Sequence, residues 1–226
     1  AEEQLLEAQR LQIENEEPLS LQVTLLLGRA QAQQQRYEDA IGTIQNALSE
    51  AHRRRNRPGQ IDSLIVLAEI EQARENLAAS ENYLQQARAL GPRYDTATQA
   101  RLDYSLGRLA FVRGHYAEAL NLGRRAEALQ QTIANREGVA SALLLLAATL
   151  ARQHEFAAAL ANYAQAQLIF QQIGNRQGEA ATLVNAGALA LRSGDLQRAQ
   201  TLNQQAIALF AAIGDDRGVA IGSLNL

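Results

Sequence analysis

Residues 138–178 read GVASALLLLAATLARQHEFAAALANYAQAQLIFQQIGNRQG and contain one complete copy of a repeated pattern. In the second half of this stretch, apolar and small residues recur every three or four positions, which is the spacing of one face of an α-helix. That face comprises Phe156, Ala159, Leu160, Tyr163, Ile169, Phe170 and Ile173. A preceding helix is predicted over roughly 138–152, and the short turn at 153–155 forces the two helices to pack antiparallel. The stretch therefore predicts a helical hairpin.

The same pattern occurs five times, with a period of about forty residues. Each copy has an anchor residue that is small: Gly28, Ala68, Gly107, Ala147 and Gly187. A second small residue follows twelve positions later: Ala40, Ser80, Ala119, Ala159 and Ala199. Because small side chains let two helices approach closely, a larger residue at Gly107, Ala119 or Ala159 is expected to cost about 1–3 kcal/mol through overpacking.

The turns of the pattern carry residues that end and begin helices. Gly114 and Gly194 suit the end of one helix, and Asp195 suits the start of the next. The connections between copies read Asn56-Arg57-Pro58-Gly59, Asn135-Arg136-Glu137-Gly138, Asn175-Arg176-Gln177-Gly178 and Asp215-Asp216-Arg217-Gly218. We interpret them as connectors, because a phosphate-binding loop needs a preceding strand and a fixed Gly/Lys pattern.

The composition excludes several kinds of site. The absence of Cys excludes disulfides and thiolate metal sites, and three widely separated His residues make a zinc site improbable, so we expect no metal, no cofactor and no catalytic residues. A net charge of −3 argues against direct nucleic-acid binding. The longest apolar run, residues 142–148, is too short to span a bilayer, and the chain begins without a signal-peptide pattern. A cytoplasmic protein without membrane association is expected.

The pattern resembles the tetratricopeptide repeat (TPR) family. The resemblance lies in the anchor with its preceding leucine, as in Leu106-Gly107, in the small residues that follow the anchor, and in Pro92 near the end of the second copy. The forty-residue variant is similar to repeats of the Pins/LGN adaptors, of kinesin light chain and of bacterial MalT-type STAND regulators. Asn185-Ala186-Gly187 is similar to the Asn-Leu-Gly of the Pins-type repeat. The resemblance implies an all-α fold, a right-handed TPR-type superhelical solenoid of antiparallel helix pairs.

The predicted organisation is a single TPR-like solenoid over residues 1–226. Its parts are a half-repeat at 1–18, repeats at about 20–59, 60–98, 99–138, 139–178 and 179–218, and a partial repeat at 219–226. Solenoids normally end in polar capping helices. Both ends lack one, so a fragment with possible end-to-end self-association is expected. The face around Val219, Ile221, Leu224 and Leu226 should fray or pack against another molecule.

The family resemblance implies that the first helix of each pair lines a concave groove. The positions expected to face it include Leu25, Ile65 and Val184. The residues expected to bind a partner are Arg29, Glu69, Tyr104, Arg108, Phe111, Arg152, Asn185, Arg192 and Asn225. Arginine forks match carboxylates and phosphates, and the aromatic pair would hold an apolar side chain. In peptide-binding relatives, the position of Asn185 and Asn225 grips ligand backbone amides.

The predicted function is a non-enzymatic scaffold that holds a protein or peptide segment, including an acidic one, in the concave groove. One alternative is the effector-binding sensor arm of a larger bacterial regulator of the STAND/MalT type. Arg as the sole basic residue type and a high Ala content fit a GC-rich bacterial gene and favour that alternative over an animal adaptor. A further alternative is an oligomerisation module, since uncapped ends can stack.

Overall fold

The computed structural model describes residues 20–91 and 95–225, and over these ranges the regular structure is entirely α-helical. Its helices are α1 (Leu21–Gln33), α2 (Tyr37–Arg53), α3 (Arg57–Ala73), α4 (Leu77–Ala89), α5 (Thr96–Val112), α6 (Tyr116–Thr132), α7 (Arg136–Arg152), α8 (Phe156–Gln172), α9 (Arg176–Arg192), α10 (Leu196–Ala212) and α11 (Asp216–Leu224). The half-repeat predicted at 1–18 lies outside the described residues. Among the helices just named, none is both long and apolar enough to cross a membrane.

The chain divides into two compact units, Ala1–Leu109 and Ala110–Leu226. In the first unit α1 packs on α2, α2 on α3, α3 on α4, and α1 also contacts α3. In the second unit each helix from α6 to α11 packs on the next, and α9 also contacts α11. Odd-numbered helices are the first members of antiparallel pairs and even-numbered helices the second. The predicted all-α arrangement of antiparallel helix pairs is confirmed; the assignment to a single domain and its repeat boundaries remain a prediction.

The connections that lie wholly within the described residues are three residues long, and each has a middle residue with positive φ. Gly occupies this position four times, at Gly114, Gly174, Gly194 and Gly214. The other occupants are Gln35, Arg55, Glu75, Ala134 and His154, with φ between 54° and 65°. The predicted helix-ending glycines are confirmed, because Gly is the residue that adopts this conformation most easily.

Side-chain caps begin several of the helices. The carboxamide or carboxylate oxygens of Asn56, Asn135, Asn175 and Asp215 accept the backbone N–H of the Gly three residues later, at 2.8–3.1 Å. Asp195 accepts the N–H of Arg198 in the same way at 3.1 Å. The glycine is needed for close approach, since a Cβ on Gly178 would lie 2.6 Å from Phe170 Cδ1. These segments are helix-capping connectors, as the sequence predicts.

The core is organised around the small residues of the repeat. Ala40, Ser80, Ala119 and Ala159 are fully buried where the second helices meet the first. At the anchor position, a Cβ on Gly187 would lie 2.6 Å from Oδ1 of Asn203, a fully buried side chain. The predicted close contact of helices at small residues is confirmed. Larger apolar side chains, such as Leu67, Leu84 and Leu183, fill the space on either side.

We expect Gly187→Ala to destabilise the protein by about 1–3 kcal/mol, because the new methyl group must displace the buried Asn203 amide. The matched control is Gly42→Ala in α2, where an added Cβ meets no atom within 4 Å. There the change should stabilise by about 0.5–1 kcal/mol, since Ala suits a helix interior better than Gly. Urea unfolding of both variants measures the difference. Equal effects would contradict the proposed close contact.

Candidate functional site

A stripe of exposed or half-exposed side chains runs along the first helices of the second unit. On α7 and α9 it comprises Ser141, Leu144, Ala148, Arg152, Ala181, Asn185, Ala188 and Arg192, which we call the α7–α9 wall. Their spacing of three or four residues puts them on one face of each helix. The opposite faces are buried, and Ala147, Leu150, Ala186 and Leu189 share one apolar cluster that joins the two helices. The wall is therefore a continuous surface across two neighbouring helix pairs.

Both arginines of the α7–α9 wall lie over an aromatic ring. Arg152 Cζ is 5.9 Å from the centroid of the Phe111 ring, and Arg192 Cζ is 5.9 Å from that of Phe156. Arg192 Nη2 also donates a hydrogen bond to the backbone oxygen of Ala151 at 3.4 Å. Among the residues that the structure describes, no carboxylate forms an ion pair with either arginine. The wall thus presents two uncompensated positive charges.

Asn185 is exposed on α9, two helical turns before Arg192 on the same face. A carboxamide offers one acceptor oxygen and two N–H donors, so it can bond both polar groups of a peptide backbone. Half-exposed Ala181 and Ala188 flank it, and Leu144 lies on the neighbouring helix. This combination provides a polar contact within a shallow surface of small and apolar side chains.

The equivalent face of the first unit is cross-linked by its own charges. Arg29 Nε on α1 lies 3.0 Å from Glu69 Oε2 on α3. Arg101 Nη2 on α5 lies 2.5 Å from Asp62 Oδ1 on α3. Each ion pair joins the first helices of adjacent pairs. Two of the residues predicted to bind a partner, Arg29 and Glu69, therefore bind each other.

Three residues that were expected to face the groove do not face it. Leu25, Ile65 and Val184 are buried, with exposed fractions of 5%, 1% and 8%. Each of them belongs to an apolar core cluster. Tyr104 is half-buried on α5, in the first unit, whereas Phe111 belongs to the second unit and has Arg152 over its ring.

Burial raises the pKa of two tyrosine side chains and of one carboxyl group. It raises the pKa of Tyr104, an effect that nearby Arg108 opposes and Glu69 reinforces. It also raises the pKa of Tyr163, against the positive charge of Arg192. The pKa of Asp62 is raised as well, because desolvation outweighs the attraction of Arg101. The ion pair between Asp62 and Arg101 therefore carries a net cost for the ionised carboxylate.

Asn225 differs from its repeat equivalent Asn185. It caps the C-terminus of α11, and its backbone oxygen accepts a hydrogen bond from Asn203 Nδ2 at 2.9 Å. Nearby, Leu224 is 86% exposed and Ile221 44% exposed, while Val219 packs against the core. The prediction that this face frays or packs against another molecule stays a prediction, and Leu226 lies outside the described residues.

The sequence does not indicate the contacts of three residues, Phe156, Asn203 and Asp62. Phe156 was placed on the apolar face of its helix, and it does pack against an apolar cluster, but the contact of its ring with Arg192 was not predicted. Asn203 was not singled out, and Asp62, which was expected to face the groove, forms an ion pair with Arg101. Within the ranges 20–91 and 95–225, no group of three or more His, Cys, Asp or Glu residues could hold a metal ion.

Comparison with known proteins supports the fold. A model described as tetratricopeptide repeat matches residues 138–212, which include every residue of the α7–α9 wall. This match confirms the TPR resemblance that the sequence indicates. No curated protein matches the chain.

Solved structures show the same fold at low sequence identity. Repeats of a Podosopora anserina protein described as a kinesin light chain are 18% identical, with 86% of this chain and 96% of that chain covered and a TM-score of 0.63. A Rap protein complexed with Competence and Sporulation Factor is 14% identical, covering 94% and 62%, with a TM-score of 0.74. A STAND protein with a tetratricopeptide repeat sensor from Pyrococcus horikoshii is 17% identical, covering 90% and 32%, with a TM-score of 0.72. This chain therefore spans less than two thirds of the Rap protein and about a third of the STAND protein.

We expect Asp62→Asn to raise the unfolding temperature at neutral pH. A raised pKa means that the folded state binds the Asp62 proton more tightly than the unfolded chain does, so the ionised carboxylate lowers stability above that pKa. As the pH falls through the raised pKa toward the ordinary aspartate range, the parent protein becomes protonated and the advantage of the variant shrinks. Thermal unfolding between about pH 7 and about pH 4 measures this convergence.

Asp95→Asn provides a control of opposite sign. Hydrogen bonds from the backbone and hydroxyl of Thr98 hold the pKa of Asp95 below its usual range. Its charge therefore stabilises the fold, and its removal should lower the unfolding temperature at neutral pH. If Asp62→Asn is instead the more damaging of the two, the inferred cost of the Asp62 charge is wrong.

Proposed function

We propose that this chain, whose residues 138–212 are tetratricopeptide repeats, is a non-enzymatic module that binds a peptide segment of a partner protein on the α7–α9 wall. Asn185 bonds the peptide backbone, and Arg152 and Arg192 bind acidic groups. Tetratricopeptide repeats commonly act as protein-interaction scaffolds, and extended surfaces of stacked helix pairs suit that role. A cytoplasmic setting is part of the same proposal.

One observation carries the assignment to the second unit. The α7–α9 wall exposes Asn185 together with two guanidinium groups that have no carboxylate partner within residues 20–91 and 95–225. Unpaired arginines at a surface favour ligands that supply carboxylates, which they bind with paired hydrogen bonds. In the first unit, by contrast, Arg29 and Arg101 already face carboxylates. We therefore assign no partner contact to Arg29 or Glu69.

Arg108, Tyr104 and Asn225 contribute in other ways under this proposal. Arg108 remains a candidate for partner contact on α5, because it is half-exposed, lies near Tyr104 and forms no ion pair with a carboxylate among the residues that the structure describes. Tyr104 supports the α5 surface through its half-buried side chain. Asn225 ends α11, where a side-chain contact with a partner would extend the wall by one more helix pair.

The second candidate function is the effector-sensing arm of a larger regulator. It is favoured by the likeness to the STAND protein with a tetratricopeptide repeat sensor, of which this chain covers 32%. In that case the bound segment would be an effector, and binding at the same wall would alter contacts elsewhere in the parent protein.

The third candidate is self-association through the exposed Leu224, which sedimentation across a concentration series would detect.

We expect selection from a displayed library of random twelve-residue peptides to enrich sequences that contain Asp or Glu. Binding of the enriched peptides should weaken by roughly tenfold or more in the double variant Arg152→Glu/Arg192→Glu, because charge pairs at interfaces are costly to break. Asn185→Ala should weaken binding of the same peptides irrespective of their charge. Fluorescence anisotropy at fixed ionic strength provides the measurement.

The matched control is Arg124→Glu/Arg198→Glu, which makes the same change in net charge at exposed positions of α6 and α10. It should leave affinity within about twofold, since screened charges away from the site act weakly. If both double variants lose peptide binding equally, the loss reflects net charge and not contact with the wall. If neither double variant nor Asn185→Ala changes the affinity, the peptides do not bind at the proposed site.

A further inference from the structure

The two wall arginines share a support that the repeat pattern does not require. Phe111 is in the last turn of α5, and Phe156 is the first residue of α8, so the rings come from different positions of the repeat. Each nevertheless lies 5.9 Å from the guanidinium carbon of a wall arginine. Two different sequence positions thus produce the same arrangement at two successive levels of the second unit.

Further aromatic contacts hold these rings in place. The Phe111 ring centroid lies 6.1 Å from that of Tyr116, and the Phe156 ring centroid lies 5.6 Å from that of His154 in an edge-on arrangement. Tyr116 is the first residue of α6, which makes it the repeat equivalent of Phe156. Because these rings are themselves packed, the arginine above each of them has a fixed surface to rest on.

Stacking has a directional consequence for a guanidinium group. When a guanidinium group lies parallel to a ring, the ring covers one planar face, while the N–H groups point outward in the plane of the fork. A carboxylate binds that fork edge-on through two parallel hydrogen bonds. An arginine held in this way loses less side-chain freedom when the ligand arrives. Arg192 is restrained further by its hydrogen bond to the Ala151 carbonyl.

We propose that Phe111 and Phe156 are positioning residues, which hold Arg152 and Arg192 with their N–H edges directed toward a partner's carboxylates. This inference rests on the proposed function, since it concerns how the same wall recognises acidic groups. It reassigns Phe111, whose ring supports an arginine instead of holding a ligand side chain. The aromatic residues set selectivity for carboxylates over uncharged side chains, and Asn185 acts independently of them.

The test uses a probe of defined chemistry. An eight-residue peptide of alternating glutamate and alanine is titrated into isotope-labelled protein at low ionic strength, with the glutamine-alanine peptide as the uncharged counterpart. The Nε–Hε signals of Arg152 and Arg192 and the side-chain amide signals of Asn185 report each contact by NMR. In the parent protein the acidic peptide should shift both arginine signals, and the glutamine peptide should leave them unchanged.

Removal of one ring should affect the arginine above it. Phe156→Leu should weaken the affinity measured at Arg192 by about two- to fivefold, in line with the strength of an exposed cation–π contact. Phe111→Leu should do the same at Arg152. Phe156→Tyr keeps the aromatic face and should restore the parent affinity. Arg192→Lys keeps the charge without the planar fork and should reduce selectivity for the acidic peptide.

Phe170→Leu is the matched control for structural damage. Phe170 is buried in a separate apolar cluster with Val139 and Leu143. The same substitution there should lower the unfolding temperature while it leaves acidic-peptide affinity at both arginines unchanged. Peptide selectivity, and not stability, is therefore the readout that distinguishes a positioning role from a packing role.

The outcomes separate this inference from the proposed function. If the acidic peptide binds through Arg192 and Phe156→Leu leaves that affinity unchanged, the positioning role is overturned and the binding site stands. If the acidic peptide shifts neither arginine while displayed peptides still depend on Asn185, the preference for carboxylates and the positioning role both fall, and peptide binding stands. If neither kind of peptide depends on the wall, both proposals fail.

Discussion

Close contact between neighbouring helices at small side chains is the constraint on which the rest of the structure depends. Ala40, Ala119 and Ala159 are fully buried, and Gly187 lies directly against the buried amide of Asn203. This contact fixes the rotation of each helix about its axis. Once that rotation is fixed, bulky apolar side chains enter the core, and the remaining face of each first helix is left to polar or small residues.

The two units use that remaining face differently. In the first, Arg29 with Glu69 and Arg101 with Asp62 join adjacent first helices. Burial raises the pKa of Asp62 despite the attraction of Arg101, so ionisation of this carboxylate carries a desolvation cost. In the second unit, small side chains replace the paired charges, and the two arginines rest on aromatic rings. The same helical framework thus gives one internally bonded surface and one available surface.

Much of the fold could be predicted because it follows from spacing. The recurrence of small residues every forty positions gave the helix pairs, and Gly and Asx residues gave their ends. The site was predicted less completely. The spacing of residues along a helix defines the face that they occupy only to within about one residue, or 100° of rotation. An error of this size explains why Leu25, Ile65 and Val184 face the core and not the groove. The opposite charges of Arg29 and Glu69, which lie one repeat period apart, could have indicated their ion pair. The stacking of Arg192 on Phe156 depends on side-chain rotamers, which spacing does not encode.

The left-handed residues in the turns have a consequence for how the chain unfolds. Gln35, Glu75 and His154 adopt positive φ within helix pairs, at a cost of roughly 1–2 kcal/mol for each non-glycine residue. That strain lowers the intrinsic stability of an isolated pair and leaves the contacts between neighbouring pairs intact. In a linear array, stability is the sum of these two contributions. In the first unit, where Gln35 and Glu75 lie inside pairs and only Arg55 lies between pairs among the described non-glycine residues with positive φ, a larger share therefore resides at the interfaces. This couples the melting of one pair to that of its neighbours and makes the transition more cooperative.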